Sequence, residues 1–328
     1  MVNPDSPPDG GQVGGGWLPR RKGFGAERAF STVTLLAGAM VLVIIVAITV
    51  FLIAEAIPAL QANDANFITE TEWFPNQSPP TFGIAALAWG TLVSSVIALV
   101  VAVPIALGIA LYLSHYAYKR IATAFGFLID LLAAVPSVVF GLWGFTVFIE
   151  PVRTFSVWLN KYFGWLPFFG GDGPFGRSFM LGGLVLAIMV LPIITALSRE
   201  VFMQTPTANE EAALSLGATR WEMIRTAVLP YGRPGVVAAV MLGLGRALGE
   251  TIALALTLGF INEVTLNIIE NGGNSIAANI ANGFGEADDI GRGALIASGL
   301  VLFAITLVVN MAARAVIYRR RDFKESAA

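Results

Sequence analysis

An arginine and a glutamate four positions apart, Arg246 and Glu250, interrupt an otherwise apolar run in the stretch Gly243-Leu-Gly-Arg-Ala-Leu-Gly-Glu-Thr251. A guanidinium offers a planar fork of N–H donors that matches two oxygens of a tetrahedral oxyanion, and it stays charged at any relevant pH. At about 100° per residue, Arg246, Glu250, Ala253 and Thr257 fall on one helical face, flanked by Gly243 and Gly249, with Met241, Leu244, Leu248 and Ile252 opposite. Either Arg246 and Glu250 pair across one turn and fix the packing, or Arg246 meets a translocating anion. The second reading accords with the rule that ionisable residues inside membrane spans mark transport paths. The third apolar run holds Asp130 and the pair Pro136-Ser137. Proline there can break the helix and free backbone groups beside Ser137, which leaves both a plain kink and an anion contact open.

Other chemistries find little support. There is no cysteine and a single histidine, His115, so thiolate sites, disulfides, catalytic triads and multi-imidazole metal sites lose their residues. His115 stands beside Tyr116 at a predicted helix end and reads as an interfacial side chain. Asp130 and Glu250 make a conceivable carboxylate pair for an intramembrane enzyme, but no motif surrounds them. Nowhere does Gly-x-x-x-x-Gly-Lys-Ser/Thr occur, so the chain has no nucleotide-phosphate cradle of its own. No catalytic residue, metal or bound cofactor is expected.

The elements that position these residues follow from composition. Hydrophobic residues are 56% and charged residues 13% of 328 positions, against roughly 45–50% and about 25% in soluble domains. Unbroken apolar runs at about 31–57, 84–114, 121–148, 179–199, 236–260 and 293–317 predict an all-α membrane protein with six transmembrane helices. The first run is too long for a signal peptide and lacks a small-residue cleavage site. Six spans leave both termini on one side, and 15 of the 20 basic residues lie on that side, so both termini are expected to be cytoplasmic in a bacterial cell membrane. Residues 1–28, rich in Gly, Pro and polar residues, read as a disordered tail, and 321–328 as a second cytoplasmic tail. The long outer loop near 150–178 carries Trp158 and Trp165, suited to the headgroup zone of the lipid. No repeat relates the first three spans to the last three, which weakens a gradient-driven transporter built from inverted halves.

Between spans four and five, residues 206–230 carry two capping-box spacings, Thr207 with Glu210 and Thr219 with Glu222. They predict two short helices turning at Gly217, a cytoplasmic bracket displaying Glu211, Leu214 and Leu216. Glu211-Ala212-Ala213, Gly217 and Leu229-Pro230 resemble the signature loop of binding-protein-dependent ABC importer permeases, with Ala227 where the pattern usually has Ile. The resemblance implies a type I ABC importer permease-like fold, in which Glu210, Glu211, Ala212, Ala213 and Gly217 belong to a coupling helix that docks on a separate ATPase.

Within that family, Gly243 to Thr251 resembles the PstC type of phosphate permease more than the PstA type, which usually continues Glu-Thr-Ala-Pro where this chain has Glu250-Thr251-Ile252-Ala253. Asp130-Leu-Leu-Ala-Ala-Val-Pro136-Ser137-Val-Val-Phe-Gly141 is similar to a segment of both types, with Asp130 where Glu is more frequent. The resemblance implies a phosphate path formed with a PstA-like permease subunit, a PstB-like ATPase dimer holding ATP and Mg, and a PstS-like extracytoplasmic binding protein, and no nucleic acid. The path residues it suggests are Arg246, Glu250, Ser137, Asp130 and Thr257. A permease for sulfate, molybdate or tungstate is the nearest alternative, since the loop is common to all.

Overall fold

The computed structural model describes residues 24–318. The tails expected over 1–28 and 321–328 lie outside the described residues, apart from the start of the first helix. In chain order the elements are α1 (Phe24–Ala62), a hairpin of β1 (Trp73–Phe74) and β2 (Thr81–Phe82), α2 (Ala85–Leu111), α3 (Lys119–Ala133), α4 (Ser137–Trp143), α5 (Ile149–Phe163) and α6 (Phe179–Met203). Then come α7 (Thr207–Ser215), α8 (Arg220–Met223), α9 (Leu229–Leu248), α10 (Ile252–Thr257), α11 (Ile276–Gly283) and α12 (Asp289–Tyr318). Single π-helical turns prolong α2 over Tyr112–Tyr116, join α4 to α5 over Gly144–Phe148, and join α8 to α9 over Ile224–Val228.

Six helices among the described residues are long and apolar enough to cross a bilayer, as the composition predicts. Two of them are displaced from their expected positions. The third crossing is expected over 121–148, yet the helix of membrane length runs Ser137–Phe163, and α3 is set off from it by a break at Ala134–Pro136. Pro136 lacks an N–H and disfavours helical geometry at Val135, so the chain restarts its hydrogen bonding at Ser137. The fifth is expected over 236–260, yet it begins at Arg220 and stops at Leu248.

The described residues divide into two compact units, with the boundary between Val50 and Phe51. Within the first, α1 presents every residue from Arg28 to Ile48 on its surface, greasy side chains such as Phe30 and Leu35 included. A helix apolar all round is suited to lipid or to another spanning helix. In the second unit α6 is the central element, with 67% of its most apolar stretch buried. Its Leu186, Met189, Val190 and Ile194 form one cluster with Ala98, Ala102 and Ala106 of α2 and Ala247 of α9. Alanines four apart form a smooth stripe that lets α2 lie close against α6, where dispersion contacts rather than a hydrophobic drive hold spanning helices together.

The segment around 150–178, expected as a loop, continues as α5 to Phe163, with Trp158 stacked on Phe155 at 5.8 Å between ring centroids. The connector that follows is stitched to the one after α10. Met180 N–H donates to Ile268 O at 2.8 Å, Gly272 N–H to Arg177 O at 2.9 Å and Asn271 N–H to Pro174 O at 2.9 Å. These bonds give both connectors' backbone groups partners outside regular structure.

Candidate functional site

The break after α9 decides where the charged residues go. Glycines at 243, 245 and 249 weaken the helix, and its last turn tightens, Glu250 N–H reaching back to Ala247 O at 3.3 Å. Glu250 then turns inward. It is 7% exposed, and its carboxylate accepts the N–H of Ala253 at 3.1 Å, capping the short helix α10. Arg246, in the last turn of α9, is exposed instead. The expected shared face of Arg246, Glu250 and Thr257 is therefore not formed, because the helix ends between Arg246 and Glu250. No salt bridge joins those two residues among the described ones.

Arg246 lines a cleft of about 680 Å³ between α6, α9 and α12, with Ile193, Ala238, Met241, Leu242, Gly245, Asn310 and Arg314. That volume is in the range of small-ligand sites. Of the five path residues named from the sequence, only Arg246 stands on this cleft. Thr257 is fully buried and its hydroxyl donates to Ala253 O at 2.7 Å. Asp130 is exposed on α3, and Ser137 is half-buried in the first turn of α4.

The helices that restart after the two breaks, α4 and α10, nevertheless meet. A Cβ on Gly141 of α4 would sit 2.8 Å from the Cα of Ala253 in α10, so a glycine is needed for the approach. Non-helical backbone at membrane depth is tolerated only where protein or a water-filled cavity satisfies it. Gly141 and Ala253, in the segments that restart after the two breaks, are buried where they meet.

At the far end of α9 lies the helical bracket. Gly217 takes φ +86°, the left-handed conformation that reverses the chain between α7 and α8. The Thr219 box forms as expected: Thr219 N–H donates to Glu222 Oε2 at 2.7 Å, and Glu222 N–H donates to Thr219 Oγ1 at 3.3 Å. The Thr207 box does not. Pro206 occupies the capping position, and no side chain caps α7. Thr207 is already helical, and the Glu210 carboxylate points elsewhere, 3.5 Å from His115 Nε2.

His115 is thus not the interfacial side chain its position suggests. Its side chain is 8% exposed, with Nδ1 2.7 Å from Ser114 Oγ. On the other side Glu211 and Ala212 are exposed, as are Leu214 and Leu216, the last 90% exposed. Ala213 packs against a cluster of Ala110, Phe202, Met223, Ile224 and Val228. The bracket is packed from beneath and offers a tip with acidic and apolar side chains.

Three residues at these sites escape reading from the sequence, namely His115, Asn310 and Arg314. The last two carried one signal, a polar pair four apart in an apolar helix, which places them on one face.

Residues 102–322 match the family described as binding-protein-dependent transport system inner membrane component. The chain is 45% identical over 303 residues to the phosphate transport system permease protein PstC 2 of Mycobacterium tuberculosis, covering 91% of this chain and 93% of that protein. It is 40% identical over 300 residues to the phosphate transport system permease protein PstC of Xylella fastidiosa, covering 90% and 91%. Its fold is similar to a chain in the crystal structure of a bacterial ABC transporter involved in the import of the acidic polysaccharide alginate. That match has a TM-score of 0.54 at 20% identity, over 88% of this chain and 99% of the other. A membrane domain of six spanning helices with a helical bracket between the fourth and fifth, matched over most of its length, belongs to the family of inner membrane components of binding-protein-dependent transport systems and groups there with the PstC-type permeases.

Proposed function

We propose that the chain is the transmembrane permease subunit of an ATP-driven phosphate importer, with both termini cytoplasmic in a bacterial cell membrane. The observation that carries this reading is Arg246, a permanent cation on the wall of a mostly apolar cleft beside a broken helix. A guanidinium in that setting suits an oxyanion. The names of the relatives supply the choice of phosphate over sulfate, molybdate or tungstate.

In this reading a PstA-like subunit completes the path. A PstB-like ATPase dimer, holding ATP and Mg, docks on the bracket at Glu211, Leu214 and Leu216, and a PstS-like binding protein delivers phosphate from outside. The test is uptake of labelled phosphate into proteoliposomes carrying the four-component complex. Uptake requiring ATP, and resisting excess sulfate, molybdate and tungstate, is the expected result. Equal competition by any of them would remove phosphate as the substrate, and uptake without the ATPase would remove the importer class.

A further inference from the structure

Arg246 does not hold the cleft alone. Across from it, on α12, Asn310 and Arg314 line the same space. They are four residues apart and so share a helix face. The remaining lining residues are Ile193, Ala238, Met241, Leu242 and Gly245, with no carboxylate among them. Neither arginine forms a salt bridge among the described residues.

Two guanidiniums lining one apolar-walled cleft repel each other, and a charged side chain inside a spanning segment is costly unless it is paired. One anion between them offsets both costs. Two forks and an amide supply N–H donors on more than one side, which suits a tetrahedral, multiply charged oxyanion over a singly charged planar carboxylate.

We propose that Arg246, Arg314 and Asn310 together bind a phosphate group in the cleft between α6, α9 and α12. Arg314 and Asn310 are its contacts on the α12 side. The inference rests on the reading of Arg246 as an anion contact and adds a second cation to it. The chemistry fits two sources, inorganic phosphate in transit and the headgroup of an anionic lipid entering between the helices.

The experiment uses the assembled complex carrying Arg314→Gln, Arg314→Lys or Asn310→Asp. Each is reconstituted in vesicles of phosphatidylcholine alone and of phosphatidylcholine with phosphatidylglycerol. If transported phosphate occupies the cleft, Arg314→Gln raises the KM for inorganic phosphate roughly tenfold in both vesicle types, and Arg314→Lys recovers part of the loss. If a lipid headgroup occupies it, KM is unchanged. The phosphatidylglycerol retained per complex, read by native mass spectrometry, then falls, and any stimulation of uptake by that lipid is lost.

Asn310→Asp places a carboxylate beside the anion and should reproduce whichever loss is seen, which keeps the test open should Arg314→Gln assemble poorly. Wild-type KM together with wild-type lipid retention in assembled Arg314→Gln and Asn310→Asp overturns the proposal. If Arg246→Gln is then inactive, this inference alone has failed. If Arg246→Gln also transports normally, the anion-path reading has failed with it.

Discussion

The imidazole of His115, at the end of α2, lies 3.5 Å through Nε2 from a carboxylate oxygen of Glu210 in the first turn of α7. Ser114 Oγ at Nδ1 orients the ring. The contact therefore ties a spanning helix directly to the bracket proposed to meet the ATPase. Removing it should cost about 1 kcal/mol, or roughly fivefold in phosphate-stimulated ATP hydrolysis. The measurement is a double-mutant cycle with His115→Gln, Glu210→Gln and both together, in which the double variant should be no worse than either single one. Strictly additive losses would mean that the contact transmits nothing.

Gly217 takes its left-handed φ of +86° in open space, with no atom within 4 Å of where a Cβ would stand, so only the backbone resists substitution there. A β-branched residue in that conformation costs about 1–3 kcal/mol. Gly217→Val should insert normally but lose substrate-dependent ATP hydrolysis, and Glu211→Lys should do the same by reversing the exposed charge. Full stimulation in either variant at equal subunit stoichiometry would remove the docking assignment.

Arg246→Gln should abolish phosphate uptake while the complex still assembles, and Arg246→Lys should restore it only in part, since an ammonium lacks the bidentate fork. Glu250 is expected to behave differently, because it caps α10 rather than neutralising Arg246. Glu250→Ala should lower the thermal stability of the complex by the worth of a cap, about 1 kcal/mol. The double variant Arg246→Gln/Glu250→Gln should stay inactive. Recovery of uptake in that double variant would restore the ion-pair interpretation and sink the anion contact.

The absence of cysteine makes single-cysteine labelling unambiguous. Asn76→Cys and Asn271→Cys, at two exposed positions in connectors, should react with a membrane-impermeant maleimide in intact cells. Leu216→Cys, at the 90% exposed tip of the bracket, should react only after lysis. The opposite pattern would invert the topology.

Six apolar runs, the Gly217 turn, the Thr219–Glu222 box and the Pro136 break were all legible in the chain, because each depends on residues within a turn or two of one another. Run length against bilayer thickness, a missing N–H and a hydroxyl three residues before a carboxylate are local facts. The course of the fifth span was not legible. Whether a helix continues past Gly249 depends on whether Glu250 gains more by capping a restarted helix than by facing Arg246. The restarted segment packs on α4, whose Gly141 lies against Ala253, a contact between residues 112 positions apart that the local sequence does not show.

The same limit separates His115 from Glu210, 95 residues later in the chain, and Arg246 from Arg314, 68 residues later. Periodicity places a residue on a face of its own helix, but only the packing of helix on helix decides what that face meets. The class of protein, the number of its spans and the turn of its bracket at Gly217 belong to the sequence alone. The cap on α10, the tie from α2 to the bracket and the second arginine in the cleft belong to the tertiary structure, since each joins groups that nothing local brings together.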